Sequence, residues 1–182
     1  AQDLADCGCG YAPGSACDTL SASWFAHAAA QMQDDQRAYM AGLPQQLDIL
    51  LNGLKLAVVH GAPGAVSRFV FPSTPARVKL HAIEETGADG VIASHSGLPF
   101  SQVIEGRLWH NSGALGMPAN DGTPRVWFSV LTPGRRARSL HIEHVALDYD
   151  ARLAARAMRE AKLPEPYAEA LTSGLWPSCD SM

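Results

Sequence analysis

Ala93-Ser94-His95-Ser96-Gly97-Leu98-Pro99-Phe100 decides how this chain is read. It follows the apolar run Gly90-Val91-Ile92, so His95 falls where a buried strand ends and a small-residue loop begins. A second stretch repeats the arrangement, with Leu56-Ala57-Val58-Val59 running into His60-Gly61-Ala62-Pro63-Gly64. Short apolar runs bounded by Gly and Pro read as buried strands. A histidine at the end of such a strand has little rotamer freedom and an open approach, and neutral imidazole is the commonest metal ligand. His60 and His95 are therefore the leading candidate metal ligands.

Between the two strands, Pro72-Ser73-Thr74-Pro75 introduces a helix over 75–86, with Val78, Ala82 and Ile83 inward and Gly87 as its stop. Strand, helix, strand predicts a crossover and an α/β layered architecture. Upstream, Leu20, Trp24, Ala28 and Met32 recur at helical spacing to about Gln33, with Asp18 or Ser21 as N-cap, and a second helix runs from Asp34 or Asp35 to Leu43. Asn52-Gly53 between two apolar runs predicts a hairpin. Downstream, short runs at 102–104, 107–110, 125–131 and 139–149 are separated by turn residues and predict antiparallel strands. A helix is expected over 150–163, with Leu153, Ala157 and Met158 inward and Arg152, Arg156 and Arg159 in a solvated row. A last helix follows Pro164 and stops at Gly174.

The chain has 182 residues, 47% of them hydrophobic, enough for one core. We divide it into a Cys/Gly-rich lead at 1–17, a core at 18–150, and C-terminal helices and tail at 151–182 belonging to the same domain. A formal charge of -4 offers no basic face for nucleic acid. No run approaches the roughly 18 apolar residues that span a bilayer, so the expectation is a soluble, cytoplasmic protein without a membrane partner. No pattern specifies an oligomer. Cys7, Cys9 and Cys17 crowd the lead and Cys179 lies near the end. In a reducing compartment such a cluster reads as a metal or redox site, although its spacing matches no strong zinc pattern, and structural thiols or a disulfide stay open.

Three motifs in order, Val59-His60-Gly61-Ala62-Pro63, Ile92-Ala93-Ser94-His95-Ser96-Gly97-Leu98-Pro99 and His110-Asn111-Ser112-Gly113, resemble those of the calcineurin-like metallophosphoesterases, particularly the small bacterial YfcE-like group. The resemblance covers roughly 21–131. It implies a layered β-sandwich flanked by helices, a centre of divalent ions (Mn, Fe, Zn or Ni) and a small phosphate-ester substrate. It also implies that His60 and His95 bind one ion, while Asn111 and Gly113 shape the floor of the site. Arg68 and Arg125 are candidate cations for substrate phosphate, against ordinary surface charge. His110 adjoins the third motif and reads as a satisfied strand histidine.

The chain departs from the family twice. A second histidine of the middle motif, ligand to the other ion, corresponds to Gly97. The family's Asp-x-His, Gly-Asp and Gly-Asn motifs have no counterpart, which implies a C-terminal portion of a longer protein, incomplete at its N-terminus. Asp3, Asp6 and Asp18 are possible substitutes, and Cys7, Cys9, Cys17 and Cys179 could join the site as thiolates favouring zinc or iron. The expected function is metal-dependent hydrolysis of a phosphomonoester or phosphodiester by metal-activated water. The alternatives are a non-catalytic binding or regulatory module of the same fold, or a Cys/His metal-binding or redox-sensing protein.

Overall fold

The computed structural model describes residues 10–177. Helix α1 (Ala16–Gln31) begins earlier than its apolar spacing suggests, because Ser15 caps it by accepting the Asp18 backbone N–H at 3.2 Å. Helix α2 (Asp34–Ala41) opens with a capping box between Gln33 and Gln36 and ends at Gly42. The hairpin of β1 (Gln46–Leu51) and β2 (Leu54–Val59) turns on Asn52 and Gly53, with φ of 51° and 78°. These are the left-handed conformations a two-residue hairpin turn requires.

Helix α3 (Ala76–Thr86) and β3 (Gly90–Ala93) complete the expected crossover, and β3 runs parallel to β2. The face of α3 differs from expectation. Lys79, Ala82 and Ile83 are buried, whereas Val78 is 36% exposed. Lys79 reaches the interior because its ammonium is satisfied there, donating to the carbonyls of Phe71 and Pro72 at 3.2 and 3.1 Å and to the Gln102 side chain.

Strands β4 (Pro99–Ile104) and β5 (Arg107–Ser112) form a second hairpin about Glu105-Gly106, both with positive φ. The downstream half is not wholly antiparallel, because β5 lies parallel to β3. The sheet order is β1-β2-β3-β5-β4, with three parallel strands inside and an antiparallel strand at each edge. On one face α3 covers it, and Ala57, Val59, Ile83, Val91, Ala93 and Trp109 form the core. Strand alternation sends His110 to the opposite face from Trp109.

A second layer, β6 (Val126–Pro133) paired antiparallel with β7 (Leu140–Leu147), contacts β5 from that other face. Asn52 joins the layers, its amide nitrogen donating to the carbonyls of Gly134, Arg136 and Ser139 at 3.3, 2.8 and 2.8 Å. Helices α4 (Ala151–Glu160) and α5 (Glu165–Ser173) pack through Ala155, Ala168 and Leu171. On α4 Ala151 and Ala155 are buried and Met158 packs partly buried against the α4–α5 core as expected, while Leu153 is 54% exposed and Ala157 is exposed, contrary to expectation. Small alanines let the short α4–α5 pair approach closely. Arg152, Arg156 and Arg159 are exposed, and Arg159 pairs with Glu165 at 2.5 Å. Among the described residues no helix is long and apolar enough to cross a membrane.

Candidate metal site

The parallel arrangement of β2 and β3 delivers both leading histidines to the same end of the sheet. His60 follows β2 and His95 follows β3 by two residues. The His60 carbonyl accepts the backbone N–H groups of Ser94 and His95 at 3.0 and 2.8 Å, continuing the strand pairing into the loop. Gly61 is required beside His60, since a Cβ there would lie 2.4 Å from the Val66 carbonyl oxygen where the 61–68 loop folds back.

The side chains meet. His60 Nε2 and His95 Nδ1 are 2.8 Å apart, with the rings 4.7 Å between centroids and edge to face. This is a hydrogen-bond distance, one ring donating and the other accepting. On one tetrahedral ion with bonds of about 2.1 Å the two nitrogens would stand about 3.4 Å apart, so the rings would part by roughly half an ångström to share it. His95 is half-buried, and its opposite nitrogen, Nε2, is buried without a hydrogen bond of normal geometry. Burial first, and then the neighbouring His60, hold the His95 imidazole below its ordinary pKa, opposed by the Ser67 backbone. A neutral ring is the form that donates a lone pair to a metal. Phe69 packs 4.2 Å from the His95 ring and stacks on Phe71 at 5.9 Å, fixing one side of the imidazole.

Asn111 and Gly113 act behind the loop. Asn111 is 1% exposed and donates to Ser96 Oγ at 2.9 Å, while its Oδ1 accepts the Gly113 backbone N–H at 3.0 Å. Ser94 Oγ donates to the Gly113 carbonyl at 2.7 Å. These bonds tie the loop that carries His95 to the end of β5. They brace that loop through side-chain and backbone contacts, the kind of support by which Asn111 and Gly113 were expected to shape the site. Ser94, Ser96, Ser67 and Phe69 were not singled out in the sequence. The two serines flanking His95 were the legible clue, whereas Phe69 carried no motif.

Gly97 has a φ of 66°, and a Cβ there would lie 3.1 Å from the Trp176 indole. A side chain at that position would meet both backbone strain and the tail of the chain. Arg68 is exposed on the loop after His60. Arg125 is engaged, donating from Nε to Thr123 Oγ1 at 3.2 Å and lying 5.5 Å over the Trp127 ring. His110 is fully buried, with Nδ1 2.9 Å from Ser101 Oγ. Its Nε2 has no partner, so the expectation of a satisfied histidine holds on one side of the ring only. Burial and His144, 5.1 Å away, lower its pKa to about 4.

Cys7, Cys9, Cys179, Asp3 and Asp6 lie outside the described residues. Cys17 is buried and disulfide-bonded, so its sulfur is not a thiolate donor. Such a bond stands in tension with the expectation of a reducing compartment. Asp18 accepts the Gly14 backbone N–H at 2.8 Å at the start of α1. Among the described residues no group of three or more His, Cys, Asp or Glu side chains is placed to hold an ion.

No protein-family model and no curated sequence matches the chain. Solved structures do. The metallophosphoesterase of Sphaerobacter thermophilus superposes with a TM-score of 0.64 at 23% identity, over 80% of this chain and 64% of that one. A hypothetical protein of Pyrococcus horikoshii OT3 gives a TM-score of 0.64 at 18% identity, over 79% of this chain and 56% of that one. The chain has the metallophosphoesterase fold. It spans 56% and 64% of the lengths of these two neighbours.

Proposed function

We propose that this chain is the C-terminal portion of a calcineurin-like, metal-dependent phosphoesterase of the YfcE-like kind that hydrolyses a phosphomonoester or phosphodiester. The observation that carries the reading is the 2.8 Å approach of His60 Nε2 and His95 Nδ1 at the ends of two parallel strands. In this reading His60 and His95 hold one divalent ion (Mn, Fe, Zn or Ni). When bound, such an ion polarises the phosphate ester and lowers the pKa of a coordinated water to near neutrality. Asn111, through Ser96, and Ser94, through Gly113, keep the His95 loop in register. Phe69 keeps water from one side of the ring. The carboxylates and remaining ligands would come from residues outside the described part, and Arg68, exposed on the loop after His60, would meet the substrate's phosphate.

The test is turnover of bis(p-nitrophenyl) phosphate by the full protein with manganese, using His60→Ala and His95→Ala as controls. Loss of more than a hundredfold in both variants is expected. Unimpaired turnover in either removes that residue from the site.

A second reading, a non-catalytic module of the same fold, is favoured by Gly97, whose side-chain space is held by Trp176. Metal binding that needs His60 and His95 without any turnover would select it. The Cys/His redox alternative is weakened by Cys17, whose sulfur is in a disulfide.

A further inference from the structure

The C-terminal tail is anchored against the loop that carries His95. Gly174, with a φ of 74°, closes α5 so near the backbone of Thr123 that a Cβ would lie 2.2 Å from its nitrogen. The Gly174 carbonyl accepts the Gly122 N–H at 3.2 Å. Two residues on, Trp176 is held twice. Its backbone N–H donates to Asn120 Oδ1 at 2.8 Å, and its indole N–H donates to the Pro118 carbonyl at 2.6 Å. With its polar atom satisfied, the half-buried indole presents hydrocarbon, and the edge of its six-membered ring lies against Gly97.

The consequence is a His95 loop with aromatic rings on two sides. Phe69 packs on the imidazole itself, with Phe71 stacked behind it. Trp176 borders the same loop at Gly97, beside Ala114, and Leu115 next to it is 59% exposed. Phe69 already packs against two rings, His95 at 4.2 Å and Phe71 at 5.9 Å between centroids. Trp176 is the ring that is rigidly placed and still partly open.

We infer that Trp176 is a specificity-determining residue, forming an aromatic wall beside the His60–His95 pair that selects phosphate esters with a flat aromatic group on the ester oxygen. This rests on the phosphoesterase reading above. Rigid placement matters because a tryptophan held by two hydrogen bonds, one from its backbone and one from its indole, loses little conformational entropy when a ring packs on it. Aromatic packing of this kind distinguishes an aryl from a methyl group on the order of tenfold.

The experiment is calorimetric titration of the full protein, in manganese, with phenylphosphonate and methylphosphonate, which carry the same anionic head and are not hydrolysed. Wild type is expected to bind phenylphosphonate about tenfold more tightly. Trp176→Ala is expected to lose that preference while methylphosphonate affinity stays unchanged, which also reports that the site is intact. Trp176→Phe should retain most of the preference. Equal affinity for both ligands in wild type, or a preference that survives in Trp176→Ala, overturns the inference while leaving the phosphoesterase reading standing. An equal loss of both ligands in Trp176→Ala and Trp176→Phe overturns it too, by assigning Trp176 a structural role. Binding of neither ligand by wild type overturns the inference together with the reading it rests on.

Discussion

At His110 the fold holds an imidazole neutral between two sheets. The unfolded chain protonates it near 6.5, the folded chain only near 4. Between those values the unfolded state binds the extra proton. Stability is therefore fully present above pH 6.5, declines as pH falls towards 4, and is flat below. At about 1.4 kcal/mol per pKa unit the decline amounts to about 3 kcal/mol. Urea denaturation at pH 7 and pH 4.5 should show about 2 kcal/mol of this loss in wild type and much less of it in His110→Phe, and equal losses would contradict the burial argument. At Asn111 the expected effect has a different cause. Asn111→Ala leaves Ser96 Oγ and the Gly113 N–H without partners, costing about 2 kcal/mol in thermal unfolding. If His60 and His95 hold an ion as proposed, it should also weaken that binding, since the His95 loop loses its brace. The two histidines were legible because each ends an apolar run. Phe69 and Trp176 were not, because their roles come from loops and a tail brought together only by the fold.

Helix α3 tests the packing at the next scale. Its expected register placed Val78, Ala82 and Ile83 inward, and the structure exchanges Val78 for Lys79. Hydropathy alone could not find this, because the lysine is admitted by the backbone carbonyls of Phe71 and Pro72, in the loop before the helix, and by Gln102 on β4. Ile83→Ala should cost about 2–5 kcal/mol in chemical denaturation, and Val78→Ala less than about 1 kcal/mol. Comparable costs would restore the sequence-based face. The hairpin at Asn52-Gly53 was read correctly from its turn residues, and the antiparallel runs at 102–104 and 107–110 from the break between them, because the positive φ angles at both turns are a local property. The parallel pairing of β3 with β5 was missed because it depends on contacts between strands, with no local signature. Asn52 carries more than its turn, since its amide also holds the β6–β7 turn. Asn52→Gly keeps the turn geometry but drops that tether. Hydrogen exchange should then quicken at residues 134–139 and leave β1 and β2 unaffected, whereas faster exchange along β1 and β2 would show that the turn itself had failed.

The whole molecule is a five-stranded mixed sheet with a two-stranded layer and flanking helices, the metallophosphoesterase fold over part of its neighbours' length. The order of the three motifs foretold this architecture, and the parallel β2–β3 pair explains why two histidines 35 residues apart meet. The activity rests on whether that meeting is a metal site. Cobalt(II) titration of the full protein, followed by its visible absorption, addresses this directly, with His60→Ala and His95→Ala alongside wild type. The account predicts a saturable d–d spectrum in wild type that is lost, or weakened at least tenfold in affinity, in each variant. An identical spectrum and affinity in all three proteins would show that His60 and His95 hold each other rather than an ion.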